Sequence, residues 1–216
     1  MESVRPPGVL DKAVAVLDAL EAGPLALAGL VSATGLARPT AHRVAVALEE
    51  HGLVRRDGEG RFTLGHRLVA LGRAAAAALP LADAARPALA ALRDETGESA
   101  QLYVREGDRR VCVVSLESPH GLRTIVPVGA RLPLDRGSAG RVLDGATPGR
   151  AGWVESVAER EAGVASVSAP VRADGGAVVA AISVSGPVER TTRSPGRRYG
   201  AAVVRAARAV EAALGG

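Results

Sequence analysis

Residues 34–52 read Thr34-Gly35-Leu36-Ala37-Arg38-Pro39-Thr40-Ala41-His42-Arg43-Val44-Ala45-Val46-Ala47-Leu48-Glu49-Glu50-His51-Gly52, and their reading decides the first half of the fold. Proline is tolerated within the first turn of a helix and glycine suits the position beyond its last turn, so Pro39 and Gly52 predict a helix over 38–51. Its two faces differ. Ala41, Val44, Ala45 and Leu48 recur at three- and four-residue intervals as a stripe for burial, while Arg38, Pro39, His42, Arg43 and Val46 point away and Thr40 sits at the edge. Gly35 supplies the backbone freedom for a sharp turn ahead of it.

On the N-terminal side, Val9–Glu21 carries Leu10, Ala13, Val14, Leu17 and Leu20 at helical spacing and stops before Gly23-Pro24. Residues 25–34 repeat the pattern with Leu27, Leu30 and Val31. On the C-terminal side, residues 53–56 and 61–64 flank Asp57-Gly58-Glu59-Gly60, which predicts two short strands around a glycine-rich turn. Three helices and a hairpin form the order of a winged helix-turn-helix, whose exposed helix enters a DNA major groove while the hairpin reaches neighbouring phosphates. Arg38 and Arg43, with Pro39, Thr40 and His42 beside them, are then candidates for base edges or phosphates, and Arg55, Arg56 and Arg61 for phosphates. A three-helix protein-binding module with solvated arginines would show the same pattern, and both readings stand at this level.

Composition narrows the classes. With 216 residues and 47% hydrophobic content there is material for two cores, and with only 2% aromatic residues small aliphatics must fill them. Stacking platforms for single-stranded nucleic acid are therefore not expected. Lys12 is the only lysine, the net charge is +4, and no basic run exists, so DNA contact would depend on individually placed arginines. Cys112 stands alone, which excludes an internal disulfide and leads us to expect a reducing, cytoplasmic compartment. Neither a secretion signal nor a membrane-spanning segment is expected.

The second half switches period. Residues 65–79 suggest a helix with Leu68, Leu71, Ala75 and Leu79 on one side, ended by Pro80; residues 81–96 suggest another, kinked or split at Pro87. Strands are expected over 99–105, 110–117 and 122–128, a helix over Ser138–Leu143, strands over 165–172 and 177–186, and a last helix over Pro195–Leu214. Ala173-Asp174-Gly175-Gly176 is a hairpin signal. If it pairs Arg172 with Ala177, Ser166 faces Ser183, Ser168 and Ser185 share that side, and Val167, Ala169, Val171, Ile182 and Val184 take the other. Such a row of hydroxyls is either a solvated face or a pocket wall. Gly137-Ser138-Ala139 favours the pocket, since free amides where a helix opens suit a carboxylate.

Residues 34–43, Leu48-Glu49, Gly52-Leu53-Val54 and 60–65 together resemble the DNA-binding signature of the IclR family. The resemblance continues through Gly129 with Pro133-Leu134, residues 137–141, Glu159 with residues 163–171, and residues 180–187. It implies an α+β chain with a winged helix-turn-helix over 1–65, a linker helix over 66–80, and a GAF-like effector domain with an antiparallel sheet over 81–216. It further implies double-stranded DNA with a pseudo-palindromic operator as partner, a small-molecule effector such as an organic acid or amino acid, and a homodimer or dimer of dimers paired through the linker. Ser138, Ala139, Ser166, Ser183 and Ser185 fall where the family's effector motifs look like ligand contacts. Ser156 stands where relatives often carry aspartate, and the connection 144–151 is shorter than the resemblance implies, a departure that falls on one wall of the pocket. Residues 97–103 resemble actinobacterial members that control amino-acid metabolism.

Catalysis is not expected. His42, His51, His66 and His120 never share the spacing of a metal site, no glycine-rich phosphate loop is present, and nothing in the sequence orients Cys112 against His120. No metal or cofactor is therefore expected.

Overall fold

The computed structural model describes residues 8–77, 80–146 and 148–215. The chain separates into two compact units, the first closing with the helix that ends at Ala77 and the second opening with the helix that starts at Pro80.

In the first unit α1 (Val9–Glu21), α2 (Leu27–Thr34) and α3 (Arg38–Glu50) precede the antiparallel pair β1 (Val54–Arg56) and β2 (Phe62–Leu64), and α4 (His66–Ala77) follows. Val16, Leu20, Leu30, Ala45, Leu48, Val54 and Phe62 form the core. The second helix starts later than the sequence suggests. Leu25 instead exchanges two 2.9 Å backbone hydrogen bonds with Phe62, adding an extended residue to the edge of the hairpin. Gly35, at φ +67°, ends α2 in the left-handed conformation that glycine adopts freely, which permits the sharp turn into α3. Of the apolar side expected on α4, Leu71 is half exposed, and Leu79 lies outside the described residues.

The second unit is a six-stranded sheet in the order β5-β4-β3-β8-β7-β6, built from β3 (Ser99–Glu106), β4 (Arg109–Leu116), β5 (Arg131–Pro133), β6 (Val154–Val157), β7 (Val164–Arg172) and β8 (Val178–Pro187). Every neighbouring pair is antiparallel. Helices α5 (Pro80–Thr96) and α8 (Pro195–Leu214) cover one face, with Leu89, Leu92 and Val203 packed on Leu102, Val167, Ile182 and Val184. Helix α6 (Ser138–Leu143) lies against the other face, where Ala139, Val142 and Leu143 meet Tyr103, Cys112 and Ala181. A single turn, α7 (Val188–Thr191), joins β8 to α8.

Three further expectations are corrected. Helix α5 neither splits nor breaks at Pro87: Asp83, whose carbonyl loses its donor there, is on the exposed side, while Ala82, Ala85, Leu89 and Leu92 hold both halves against the sheet. Residues 122–128 form no strand. Thr124 and Val126 are buried and Ile125 is exposed, so the alternation holds at the centre, but Leu122 and Val128, of the same parity as the buried pair, are exposed, and the residues that join β4 are Arg131–Pro133 of β5.

The third is the register of β7 and β8. Ser166 pairs with Ser185 and Ser168 with Ser183, two residues away from the expected alignment. One residue of the difference comes from a tighter turn, in which Ala173 and not Arg172 bonds to Ala177, and the other from a bulge opposite Val171 and Arg172. Since side chains alternate with period two, a slip of two leaves all four serines on the face assigned to them.

Candidate functional site

The first unit presents the outer side of α3. Arg38, Pro39, His42 and Arg43 are exposed, Thr40 is half-buried, and Ala41, Ala45 and Leu48 anchor the opposite side in the core. The hairpin arginines divide. Arg55 is exposed and enters no ion pair among the described residues, whereas Arg56 lies 4.2 Å over the Phe62 ring, bonds the Gly60 carbonyl and pairs with Glu49 at 3.3 Å. Arg61 is held by Asp57 at 2.8 Å and Glu59 at 3.1 Å, and its guanidinium keeps the Asp57 carboxyl below the ordinary range. Of the three hairpin candidates for phosphate contact, only Arg55 is thus uncommitted among the described residues.

In the second unit all six residues singled out for ligand contact, Ser138, Ala139, Ser156, Ser166, Ser183 and Ser185, line one cavity between α6 and the sheet. The hydroxyls interlock. Ser138 lies 2.7 Å from both Ser166 and Ser168, Ser168 donates to Ser183 at 2.9 Å, and Ser185 donates to the Gln101 side-chain oxygen at 3.1 Å. Gly137 precedes α6 at φ +75°, and its amide donates to the Glu159 carboxylate at 3.0 Å. One of the amides expected to stand free for a ligand is therefore occupied from within, by a side chain that also pairs with Arg141.

The cavity measures about 20 Å³, room for roughly one water molecule. An organic molecule could enter only if the outer wall, formed by Arg160 and Glu161 of the β6–β7 connection, moved aside. Sequence reasoning missed Tyr103, Arg110, Arg160 and Glu161 as lining residues. Arg110 was legible in principle: it stands two residues before Cys112, on the face of β4 that meets α6, so a strand carrying Cys112 inward carries Arg110 inward as well, whereas Val114, past the bulge in β4, packs on the opposite face.

Arg110 is 3% exposed. Its Nη1 donates to the carbonyls of Pro133 at 2.7 Å and Arg136 at 2.5 Å, and its guanidinium carbon sits 5.3 Å from the Tyr103 ring centre. Burial lowers its pKa from the ordinary arginine value and raises that of Tyr103. Cys112, on the same face, has its thiol pushed up to about 12 by burial. Among the described residues no cluster of three or more His, Cys, Asp or Glu side chains could hold a metal ion, and no single helix is long and apolar enough to cross a membrane.

Comparison with known proteins matches residues 9–58 to the IclR helix-turn-helix domain and residues 73–149 and 146–212 to the bacterial transcriptional regulator IclR C-terminal domain. The second match divides within the short connection noted above. The chain is 30% identical to the glycerol operon regulatory protein of Streptomyces griseus over 84% of this chain and 85% of that one. It is 33% identical to the HTH-type transcriptional regulator KipR of Bacillus subtilis over 55% of this chain, an alignment spanning about half (48%) of that protein. In fold it matches an IclR homologue of Microbacterium hydrocarbonoxydans complexed with 4-hydroxybenzoate, with TM-score 0.78, 23% identity, and coverage of 96% of this chain and 99% of that one.

Proposed function

The chain belongs to the IclR family of bacterial transcriptional regulators, and from that premise we propose that it is a cytoplasmic, homodimeric regulator that binds a specific operator and is controlled by a small organic acid or amino acid. The family is one of regulators and not of enzymes. One observation carries the DNA half of the reading: the outer side of α3 displays Arg38, His42 and Arg43 to solvent while the same helix is anchored by Ala41, Ala45 and Leu48. A rigid helix with two uncommitted arginines suits a major groove, where a good bidentate contact discriminates by about 1–3 kcal/mol. Arg55 supports it from the hairpin as a phosphate contact.

Dimerisation is supported by the apolar side chains left in water. Val69 is 55% exposed and Leu71 50% on α4, and a second copy of this helix would cover them. Two copies would address half-sites about 34 Å apart or a multiple of that.

The effector half rests on the cavity beneath α6, in a domain we read as GAF-like. Hydroxyls of Ser138, Ser166, Ser183 and Ser185 can bond a polar ligand, with Ala139 and Ser156 completing the wall. The 4-hydroxybenzoate carried by the Microbacterium hydrocarbonoxydans homologue supports an organic acid; amino acids and their keto-acid precursors are the other candidates. Because the cavity admits only about one water, effector binding is coupled to displacement of the Arg160 and Glu161 wall. A coupling of about 1–3 kcal/mol would alter DNA affinity by roughly 5- to 150-fold.

The test is a fluorescence-anisotropy titration of the full chain on DNA from upstream of its own gene and on scrambled duplex at two salt concentrations. Selective binding that Arg43→Ala weakens by about tenfold or more supports the reading. Equal, weak binding to both duplexes refutes DNA as the target and leaves a protein partner for the first unit.

A further inference from the structure

Arg110 is the buried charge that the cavity leaves unexplained. Its Nη1 alone holds the carbonyls of Pro133 and Arg136, while Nε is buried without an acceptor among the described residues. Among the described residues no carboxylate pairs with the guanidinium. Burying a cation without an anion costs several kcal/mol, and bracing two carbonyls does not require one. The slot around it is built for it nonetheless: a Cβ on Gly140 would overlap Nη1, a Cβ on Gly137 would lie 3.2 Å from Nη2, and the Tyr103 ring centre lies 5.3 Å from the guanidinium carbon.

The cavity that Arg110 lines is rich in donors. A second buried donor, Gln101 Nε2, also lacks an acceptor, and it sits behind Ser185, to which its own side-chain oxygen is bonded. The one acid in the wall, Glu161, is 60% exposed and paired with Arg160 at 3.3 Å.

Resting on the reading of this cavity as the effector site, we infer that Arg110 neutralises the anionic group of the effector and makes the site choose an acid over its uncharged analogue. A carboxylate seated there supplies the missing counter-charge and an acceptor for Nε. Ser138, Ser166 and Ser183 then bond the rest of the molecule. Removing the charge should weaken an acid by about 10- to 100-fold, the range for a hydrogen bond to a charged group, and leave the neutral analogue unaffected.

The experiment measures thermal stabilisation and Kd for matched pairs, acetate and acetamide, pyruvate and pyruvamide, 4-hydroxybenzoate and 4-hydroxybenzamide, on the full chain. The proteins are the native sequence, Arg110→Gln, Arg110→Lys and Ser183→Ala. We expect one or more acids to bind the native chain, their amides to fail, Arg110→Gln to abolish the preference, and Arg110→Lys to restore part of it. Should Arg110→Gln fail to fold, the ¹⁵N–¹H resonance of Arg110 Nε in the native chain, identified by its loss in Arg110→Lys, must shift saturably with the acid and not with its amide. Amides that bind as well as acids, or an acid Kd within twofold in Arg110→Gln, overturn the role of Arg110 while leaving the pocket standing. No stabilisation by any of these compounds overturns both the role and the acid-effector reading.

Discussion

The hydroxyls of Ser138 and Ser168 stand 2.7 Å apart and tie helix α6 to strand β7. Ser168 is wholly buried and also donates to Ser183, so it is the junction of the serine chain. Replacing it with alanine removes two hydrogen bonds at about 1 kcal/mol each. Ser168→Ala is expected to lose about 2 kcal/mol in urea unfolding followed by circular dichroism. A loss under about 0.5 kcal/mol would mean that the chain of hydroxyls is not a unit.

The hairpin arginines should separate in DNA binding. Arg55→Ala removes an uncommitted charge and should reduce the slope of log affinity against log salt by about one. Arg61→Ala removes a charge already spent on Asp57 and Glu59 and should change the slope little. Equal effects of the two substitutions would show that DNA recruits Arg61 away from its carboxylates.

Trp153 lies flat in a notch made by Gly196 and Gly200 on α8, where a Cβ at either glycine would overlap the indole. Gly196→Ala should therefore destabilise the second unit by about 1–3 kcal/mol, the usual cost of overpacking. In a Trp153→Leu background the same substitution should cost measurably less, and a double-mutant cycle reads the difference. Additive losses would exclude the notch as the cause.

Alkaline pH should uncover Cys112. The thiol has an ordinary value of 9.0 and is held near 12 in the folded chain, so the folded state retains a proton that the unfolded state releases. The stabilisation is complete below pH 9 and declines as pH rises toward 12, with a slope of up to about 1.4 kcal/mol per unit. Between pH 9 and 10 the decline belongs to Cys112, and above 10 Tyr103, also raised by burial, adds to it. Cys112→Ala should flatten the first part of the stability curve measured from pH 8 to 10.5; an unchanged slope would contradict the burial argument.

Much of the fold could be read from periodicity, and the reasons for the failures are physical. Helices α1, α6 and α8 begin and end at the residues expected from their apolar spacing and flanking glycines. Leu25 misled because its apolar character suits either a helix start or a strand edge, and the choice was made by Phe62, 37 positions away. Residues 124–126 alternate in burial as a strand does, yet alternation reports burial and not hydrogen bonding, and the residues that pair with β4 are Arg131–Pro133. The short strands β5 and β6 carry too few residues to show a period. The serine face was legible because burial parity survives a two-residue slip. Arg110 was hidden because an arginine that opens a strand beside the turn residue Arg109 reads as solvated until the parity it shares with Cys112 is followed inward.

The glycine notch that seats Trp153 also makes the molecule optically one-sided. This is the only tryptophan, and both tyrosines, Tyr103 and Tyr199, lie with it in the second unit. Ultraviolet emission will follow melting of the six-stranded sheet and its helices alone, while the helix-turn-helix unit, whose one aromatic ring is Phe62, remains dark. Emission and far-ultraviolet dichroism recorded on a single unlabelled sample can therefore separate the unfolding of the two units, and reveal whether loading one of them steadies the other.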